Sequence, residues 1–413
     1  HAGRVDLNET LKEGGRGGTS GARSHRARGA LVIAEVALAA MALIGAGLSV
    51  RTFQKLARVN LGFEPRNVLV AHFHLSTNGY SLSQEKQFNR NLRLRLEAAR
   101  GIEHVSYGNA VPVSIFAGGT DRVQAFGTEA DEQGVITLQR NVVAAGYFRL
   151  MGIPLLEGRD FTEQDDLGTA PVIVVNETFA RRYFDGKYPI GRKVRVAGNW
   201  STVVGMVKDS KYRTPAEGAT AYFYGSFGQM FWSGHDNFVY IRAKDLDEAR
   251  GTLRREVAAL DPNKGLYELS TLEEYTQAGL FGERVAASLL SALGILALAL
   301  AAVGLYSVMA YAVSERTQEI GIRMALGAPR HQVLGLMLRR GLVMTITGLA
   351  AGIVSAIAAA RVLSSAIETP ISADEPAVFA LATLTLVLTA LLASYIPARR
   401  ATKVDPLTAL RSE

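Results

Sequence analysis

The 413-residue sequence contains no cysteine, which excludes disulfide frameworks, thiolate metal sites and cysteine nucleophiles. It also lacks the local signatures of common catalytic centres. No His-Glu-x-x-His, Gly-x-Ser-x-Gly, Walker lysine loop or EF-hand loop occurs, and each of those chemistries depends on its residues at that spacing. Charge is the third absence. Residues 285–314, 341–360 and 376–398 carry no Asp, Glu, Lys or Arg, and residues 29–50 carry only Glu35. Each window is about 20 residues or more, enough to cross about 30 Å of hydrocarbon at about 1.5 Å per residue. The spacing predicts four transmembrane helices. Beyond Glu35 their only polar groups are Ser, Thr and Tyr, whereas a path for ions or polar solutes needs strongly polar groups facing inward. The helices read as struts.

The formal charge is +7, and its placement explains it without nucleic acid. Residues 1–28 hold six Lys/Arg against three acids, 315–340 five Arg against two acids, and 399–413 four Lys/Arg against two. The 361–375 connection instead has Arg361 against Glu368, Asp374 and Glu375. That alternation is the positive-inside pattern. It puts both termini and the 314–340 loop in the cytoplasm, with 51–283 and the 361–375 hairpin outside. Residues 13–28 are Gly/Ser/Arg-rich and read as a flexible basic linker. Arg4-Val5-Asp6-Leu7 through Leu11-Lys12 echoes Lys403-Val404-Asp405-Pro406-Leu407 through Leu410-Arg411, as expected if the chain is the second half of a duplicated protein.

The expected organisation is a cytoplasmic linker (1–28), a first transmembrane helix with an outward stalk (29–61), an extracytoplasmic α+β domain (62–270) and a helical domain (271–413). Strand-like runs cover 68–75, 135–143, 171–175, 193–196, 202–207 and 238–242, and helical runs cover 82–100, 177–184 and 246–260. Residues 272–285 are amphipathic and lead into the second span as another stalk. Gly348 and Gly352 have the small-xxx-small spacing of close helix packing within a hairpin of the third and fourth spans. His72 and His74 would share a strand face as half a metal site; exposed histidines on a strand explain them better. Asp131-Glu132 and Asp165-Asp166 read as solvated loop acids, and Asn176-Glu177-Thr178 as a helix cap rather than a glycosylation site. No catalytic, cofactor or metal residues are assigned.

Between the second and third spans lies Ser-Glu-Arg-Thr-Gln-Glu-Ile-Gly-Ile-Arg-Met-Ala-Leu-Gly-Ala, residues 314–328. Ser314 reads as a helix N-cap with Glu315 and Glu319 in favourable positions on the dipole. Glu319 and Arg323 are four apart and pair on one face, and Gly327 with Pro329 marks a helix stop. The result is a short charged helix flush against a membrane, suited to docking a partner or lying in the interface.

This segment resembles the signature of MacB/FtsX-type ABC transporter permeases. Residues 397–411, Pro-Ala-Arg-Arg-Ala-Thr-Lys-Val-Asp-Pro-Leu-Thr-Ala-Leu-Arg, resemble their tail. Residues 62–270 resemble the MacB-like periplasmic core domain, with Tyr147-Phe148-Arg149-Leu150-Met151-Gly152-Ile153-Pro154 and Gly158-Arg159-Asp160-Phe161 as markers. Leu11 to Arg16 and Ala34 to Leu38 resemble the junction of the duplicated acidobacterial permeases. The resemblance implies a bacterial inner-membrane subunit without catalysis or cofactor of its own, working by mechanotransmission. A separate ABC ATPase, a second permease unit (a fused first half or a homodimer), the lipid bilayer and a periplasmic adaptor are the implied partners. It also implies that Glu315, Arg316, Glu319, Ile320, Gly321, Arg323, Met324 and Gly327 form the coupling helix on the ATPase. Antibiotics, peptides and lipoproteins are the implied substrate classes. The alternative is a membrane-anchored periplasmic ligand-binding receptor, and a membrane enzyme comes third. The topology predicts that in Ser210→Cys the thiol reacts with impermeant reagents in whole cells, whereas in Arg330→Cys it reacts only after the cells are opened; the reverse labelling would overturn the orientation.

Overall fold

The computed structural model describes residues 20–73, 75, 79–114, 116–125, 136–230, 236–263, 266, 268–315, 322, 329–366 and 375–401. Two compact units emerge: residues 55–282 form one, and residues 1–54 with 283–413 form the other.

The 55–282 unit is an α+β domain built on one eleven-stranded sheet. In chain order its elements are β1 (Val68–Phe73), α2 (Leu82–Glu97), β2 (Ile102–Gly108), β3 (Gly119–Ala125), β4 (Ile136–Val143), α3 (Tyr147–Met151), β5 (Leu155–Gly158), β6 (Val172–Asn176), α4 (Glu177–Tyr183), β7 (Lys193–Val196), β8 (Asn199–Val207), β9 (Tyr222–Ser226), α5 (Phe227–Met230), β10 (Asn237–Ala243), α6 (Leu246–Leu260), β11 (Glu268–Thr271) and α7 (Leu272–Ala278). The helix before them is α1 (Ser20–Leu56). Strand order runs β11-β1-β10-β2-β4-β3-β7-β8-β6-β9, with β9 returning to pair with β4. Six strands thus close a ring, β4-β3-β7-β8-β6-β9, four extend from it as an open sheet, and the eleventh, β5, pairs with β8. Most pairs are antiparallel; β4–β9 and β6–β8 are parallel.

Period-2 alternation sorts the side chains of the open sheet onto two cores. Leu69, Ala71 and Phe73 of β1, with Val239 and Ile241 of β10, face Phe88, Leu92 and Leu96 of α2 and Leu253 and Val257 of α6. Val68, Val70, Phe238 and Tyr240 face the other way, onto Tyr147, Phe148, Leu150 and Met151 of α3. Because both faces are covered, every residue of β1 is buried. The ring is filled by Ile173, Val175, Val194, Val203 and Phe223 with Phe179 and Phe184. Helix starts are locally encoded. Ser81 and Gln84 form a capping box on α2, Thr271 and Glu274 another on α7, and Asp245 caps α6.

Several polar positions differ from the sequence reading. Asn176 does cap α4, its Oδ1 accepting from Phe179 N and Tyr222 N at 2.9 Å while Nδ2 donates to Thr220 O. With no exposed surface, it is closed to glycosylation in the folded domain. His72 is buried rather than exposed: its ring stacks on Phe238 at 4.4 Å and Nε2 lies 3.0 Å from Asp236 Oδ1. His74 and Asp131-Glu132 lie outside the described residues. Asp165 is buried, not solvated. Arg159 grips it with two bonds of 2.7 and 2.8 Å, and Thr162 N donates at 2.8 Å, whereas Asp166 remains exposed. The turn that delivers Arg159 depends on Gly158, at φ +74° with the Val204 carbonyl where a Cβ would stand.

The second unit holds α1, α8 (Phe281–Glu315), α9 (Arg330–Ala366) and α10 (Pro376–Ala401). Four windows, Ala27–Leu56, Phe281–Glu315, Leu334–Val362 and Pro376–Arg400, are long and apolar enough to cross a membrane. Four expected boundaries move, the first because α1 already begins at Ser20, inside the stretch expected as a flexible linker to residue 28. α1 ends at Leu56, five residues before the expected stalk end at 61. α8 runs on through Ser314 and ends at Glu315. The loop expected over 314–340 is narrower, since α9 already starts at Arg330.

Burial by itself would raise the Asp165 carboxyl, but the Arg159 bonds and the Thr162 N–H outweigh it and hold the group below its ordinary value. A depressed folded pKa contributes stability at neutral pH that is lost as pH falls through the carboxylate range, below about pH 4. Asp165→Asn is expected to cost about 1–3 kcal/mol at pH 7, at the low end because Arg159 is half exposed, and to flatten the acid limb of the domain's stability curve. Denaturant titrations at pH 7 and pH 3.5 check both; an equal loss at the two pH values would remove the ionic explanation.

Candidate functional site

In lipid, helices gain nothing by hiding apolar surface from one another, so shape decides which faces meet. α9 meets α1 through its glycines. A Cβ added at Gly348 would lie 2.8 Å from Ile33 O and from Val36 Cβ; one at Gly352 would lie 2.6 Å from Ala37 O and from Ala40 Cβ. The small-xxx-small face therefore looks toward the first helix rather than toward α10, its hairpin neighbour. Around this contact Val32, Val36, Ala39, Leu305, Met309 and Leu386 fill the interior of the unit. The void between Val36, Leu305, Thr345 and Leu386 measures about 10 Å³, barely the room that one water needs.

Glu35 sits against α8 at Gly304, where its Oε2 occupies the place a Cβ would take. That oxygen is buried and has no hydrogen-bond partner among the described residues. Sequence reading found Glu35 but not the notch that admits it, although a lone glycine in an apolar run is the available signal. The two ends of the unit are chemically distinct. At one, the Arg28 guanidinium lies 4.2 Å from the centre of the Tyr311 ring and Arg400 donates to Tyr306 Oη at 3.3 Å. At the other, Arg51 of α1 pairs with Glu375 before α10 at 3.5 Å. Cations and tyrosines where helices leave an apolar span are the interfacial belt of a membrane protein.

The α8–α9 connection opens at the Arg28–Tyr311 end. Glu315 is the last residue of α8. Arg316, Glu319, Ile320, Gly321, Arg323, Met324 and Gly327 lie outside the described residues, and so do the tail residues 402–413; Ile322 is described and half exposed. Among the described residues no group of three or more His, Asp or Glu is arranged to hold a metal.

With this geometry in place, comparison with known proteins becomes informative. Residues 29–260 match the family model described as MacB-like periplasmic core domain, and residues 291–406 match FtsX-like permease C-terminal. The macrolide export ATP-binding/permease protein MacB of Chromobacterium violaceum is 27% identical over 284 residues, 67% of this chain and 44% of that protein. The pyoverdine export ATP-binding/permease protein PvdT of Pseudomonas syringae pv. tomato is 29% identical, over 63% of this chain and 40% of that protein. The ABC transporter permease YknZ of Bacillus subtilis is 28% identical, over 66% of this chain and 70% of that one. The chain thus spans less than half the length of the first two relatives. The crystal structure of the periplasmic region of MacB from Actinobacillus actinomycetemcomitans covers 54% of this chain at 15% identity, with a TM-score of 0.38.

The glycine contacts separate rigid from yielding neighbours. Gly348→Val and Gly352→Val press on backbone carbonyls and are expected to cost about 1–3 kcal/mol each, lowering the melting temperature in detergent. Gly304→Ala presses only on the mobile end of Glu35 and is expected to cost less than either, with Glu35→Ala removing what cost remains. Equal destabilisation by all three substitutions would contradict the placement of the helices.

Proposed function

Because the chain belongs to the MacB/FtsX-type permease family, we propose that it is the membrane subunit of an ABC exporter that works by mechanotransmission. In this reading ATP is hydrolysed by a separate ABC ATPase subunit. Residues 314–328 dock on that subunit. Glu315, Arg316, Glu319 and Arg323 meet it as charged contacts, while Ile320 and Met324 keep the segment against the membrane helices. Gly321 and Gly327 belong to the same proposed coupling segment.

The observation that carries this reading is the interior of the helical unit. Among the described residues its core is apolar apart from Glu35, Thr345 and Ser394, the void beside Val36 and Leu386 is about 10 Å³, and one helix pair is locked by glycines against carbonyls. A closely packed bundle suits the relay of displacement better than the passage of a polar solute. Movement of α1 and α8 then reaches the α+β domain, placed in the periplasm by the charge pattern, where substrate is extruded from the inner membrane outward. The relatives' names, macrolide export and pyoverdine export, support an antibiotic-, peptide- or lipoprotein-like substrate. A second permease unit completes the assembly, as a fused first half or a second copy, and a periplasmic adaptor continues the route.

Co-purification with the cognate ATPase provides the test. Glu319→Lys or Gly321→Trp is expected to weaken the complex by about tenfold, about 1.4 kcal/mol, and to uncouple ATP turnover from the permease. An unchanged complex and unchanged turnover in both variants would refute the coupling assignment.

A further inference from the structure

One face of the ring is used by neither the fold nor the coupling reading. Period-2 alternation turns Val123 of β3, Val194 and Val196 of β7 and Val203 of β8 into a core. Arg122, Lys193, Arg195, Trp200 and Thr202 therefore stand on the opposite face. Register sets them side by side. Arg195 lies opposite Trp200 and Lys193 opposite Thr202, while Arg122 O accepts from Ala197 N, just past the end of β7, at 3.0 Å. The two-residue turn between β7 and β8 has Ala197 at φ +47° and Gly198 at φ +89°, both positive as a tight hairpin of this kind requires.

The face is cationic. Arg122, Lys193 and Arg195 are exposed, and among the described residues none of them pairs with a carboxylate. The chain around them adds to the excess, since residues 181–200 carry six Lys/Arg against Asp185 as their one acid. Arg195 Nε donates to Gly198 O at 3.0 Å, which holds that guanidinium at the turn beside Trp200. Trp200 itself keeps 46% of its surface exposed. From Arg122 beside Ala197 to Lys193 the cations span four residues of strand, about 13 Å at about 3.3 Å per residue, too wide for one carboxylate or phosphate. An array of headgroups fits that spread, and an indole, apolar with one N–H, suits the boundary between headgroups and acyl chains.

We propose that this face docks on an anionic phospholipid surface, with Arg122, Lys193 and Arg195 against headgroup phosphates and Trp200 inserted among the headgroups. Charge complementarity selects this occupant: each cation near an anionic leaflet contributes about fivefold in partitioning, and three contribute about a hundredfold. The cations are exposed, so the attraction fades as salt rises. Docking is read on the full chain without ATP or ATPase, so its failure leaves the permease reading standing.

The full chain carrying Trp232→Phe, in which Trp200 is the remaining tryptophan, is placed in phosphatidylcholine nanodiscs and mixed with vesicles containing a brominated, fluorescence-quenching phosphatidylcholine. Vesicles that also contain phosphatidylglycerol are expected to quench Trp200 saturably, and purely zwitterionic vesicles about a hundredfold more weakly. The readout is local, so vesicles held by the basic cytoplasmic segments leave it unchanged. The triple variant Arg122→Gln, Lys193→Gln, Arg195→Gln, altered at exposed positions only, is expected to keep the melting temperature and to need about a hundredfold more lipid for half-quenching. Salt at about 1 M, where the Debye length is about 3 Å, is expected to remove the quenching. Absence of quenching by the anionic vesicles, equal quenching by both kinds, persistence at high salt, or undiminished quenching in the triple variant would each overturn the assignment. So would a shift of Trp200 emission by heparin with no quenching by vesicles, which would give the face to an anionic glycan instead.

Discussion

A helix pair inside a bilayer cannot rely on water to push it together, so its association depends on how closely two backbones approach. In this chain that approach is made at Gly348 and Gly352, which rest on the carbonyl oxygens of Ile33 and Ala37. The rest of the helical unit follows from it. With α1 and α9 in contact, Val32, Val36, Leu305, Met309 and Leu386 close into one core. The same packing brings Arg28 to Tyr311 at one end and Arg51 to Glu375 at the other. The Glu35–Gly304 notch obeys the same rule, with a glycine standing where no larger residue fits without displacing a neighbour.

The α+β domain is organised by a different force. There water drives apolar side chains inward, and alternation along β1 and β10 feeds two cores at once. The residues that mark the family in sequence, Tyr147 to Pro154 and Gly158 to Phe161, turn out to be structural. The first segment plugs a core with Tyr147, Phe148, Leu150 and Met151. The second makes the turn that aims Arg159 at Asp165. Both serve the packing of the domain.

Much of this was legible in the residues. Uncharged windows located all four spans, and the alternating runs located β1, β4, β6, β7, β8 and β10. Five strands were left unread, and four of them, all but β2 (Ile102–Gly108), have a plain reason. β3, Gly-Thr-Asp-Arg-Val-Gln-Ala, and β11, Glu-Leu-Ser-Thr, are mostly polar. β9, Tyr-Phe-Tyr-Gly-Ser, is buried throughout and has no polar side to alternate with. β5 is only four residues long. Periodicity reveals that a face exists but not what it meets, so the glycines of α9 were seen while their partner on α1 was not. That α8 continues through Ser314 to Glu315 was not legible either, because the uncharged run shows no breaker that fixes its end. Asp165 misled because the arginine that buries it, six residues earlier, follows a glycine turn that composition does not display.

The pairing register of β1 and β11 has a mechanical corollary. Leu69 near the start of β1 lies opposite Thr271 at the end of β11. The chain arriving from α1 and the chain departing toward α8 are therefore fastened to the same corner of the sheet. A pull transmitted along both tethers loads two adjacent hydrogen-bonded strands at a single point, instead of stretching the sheet between distant anchors.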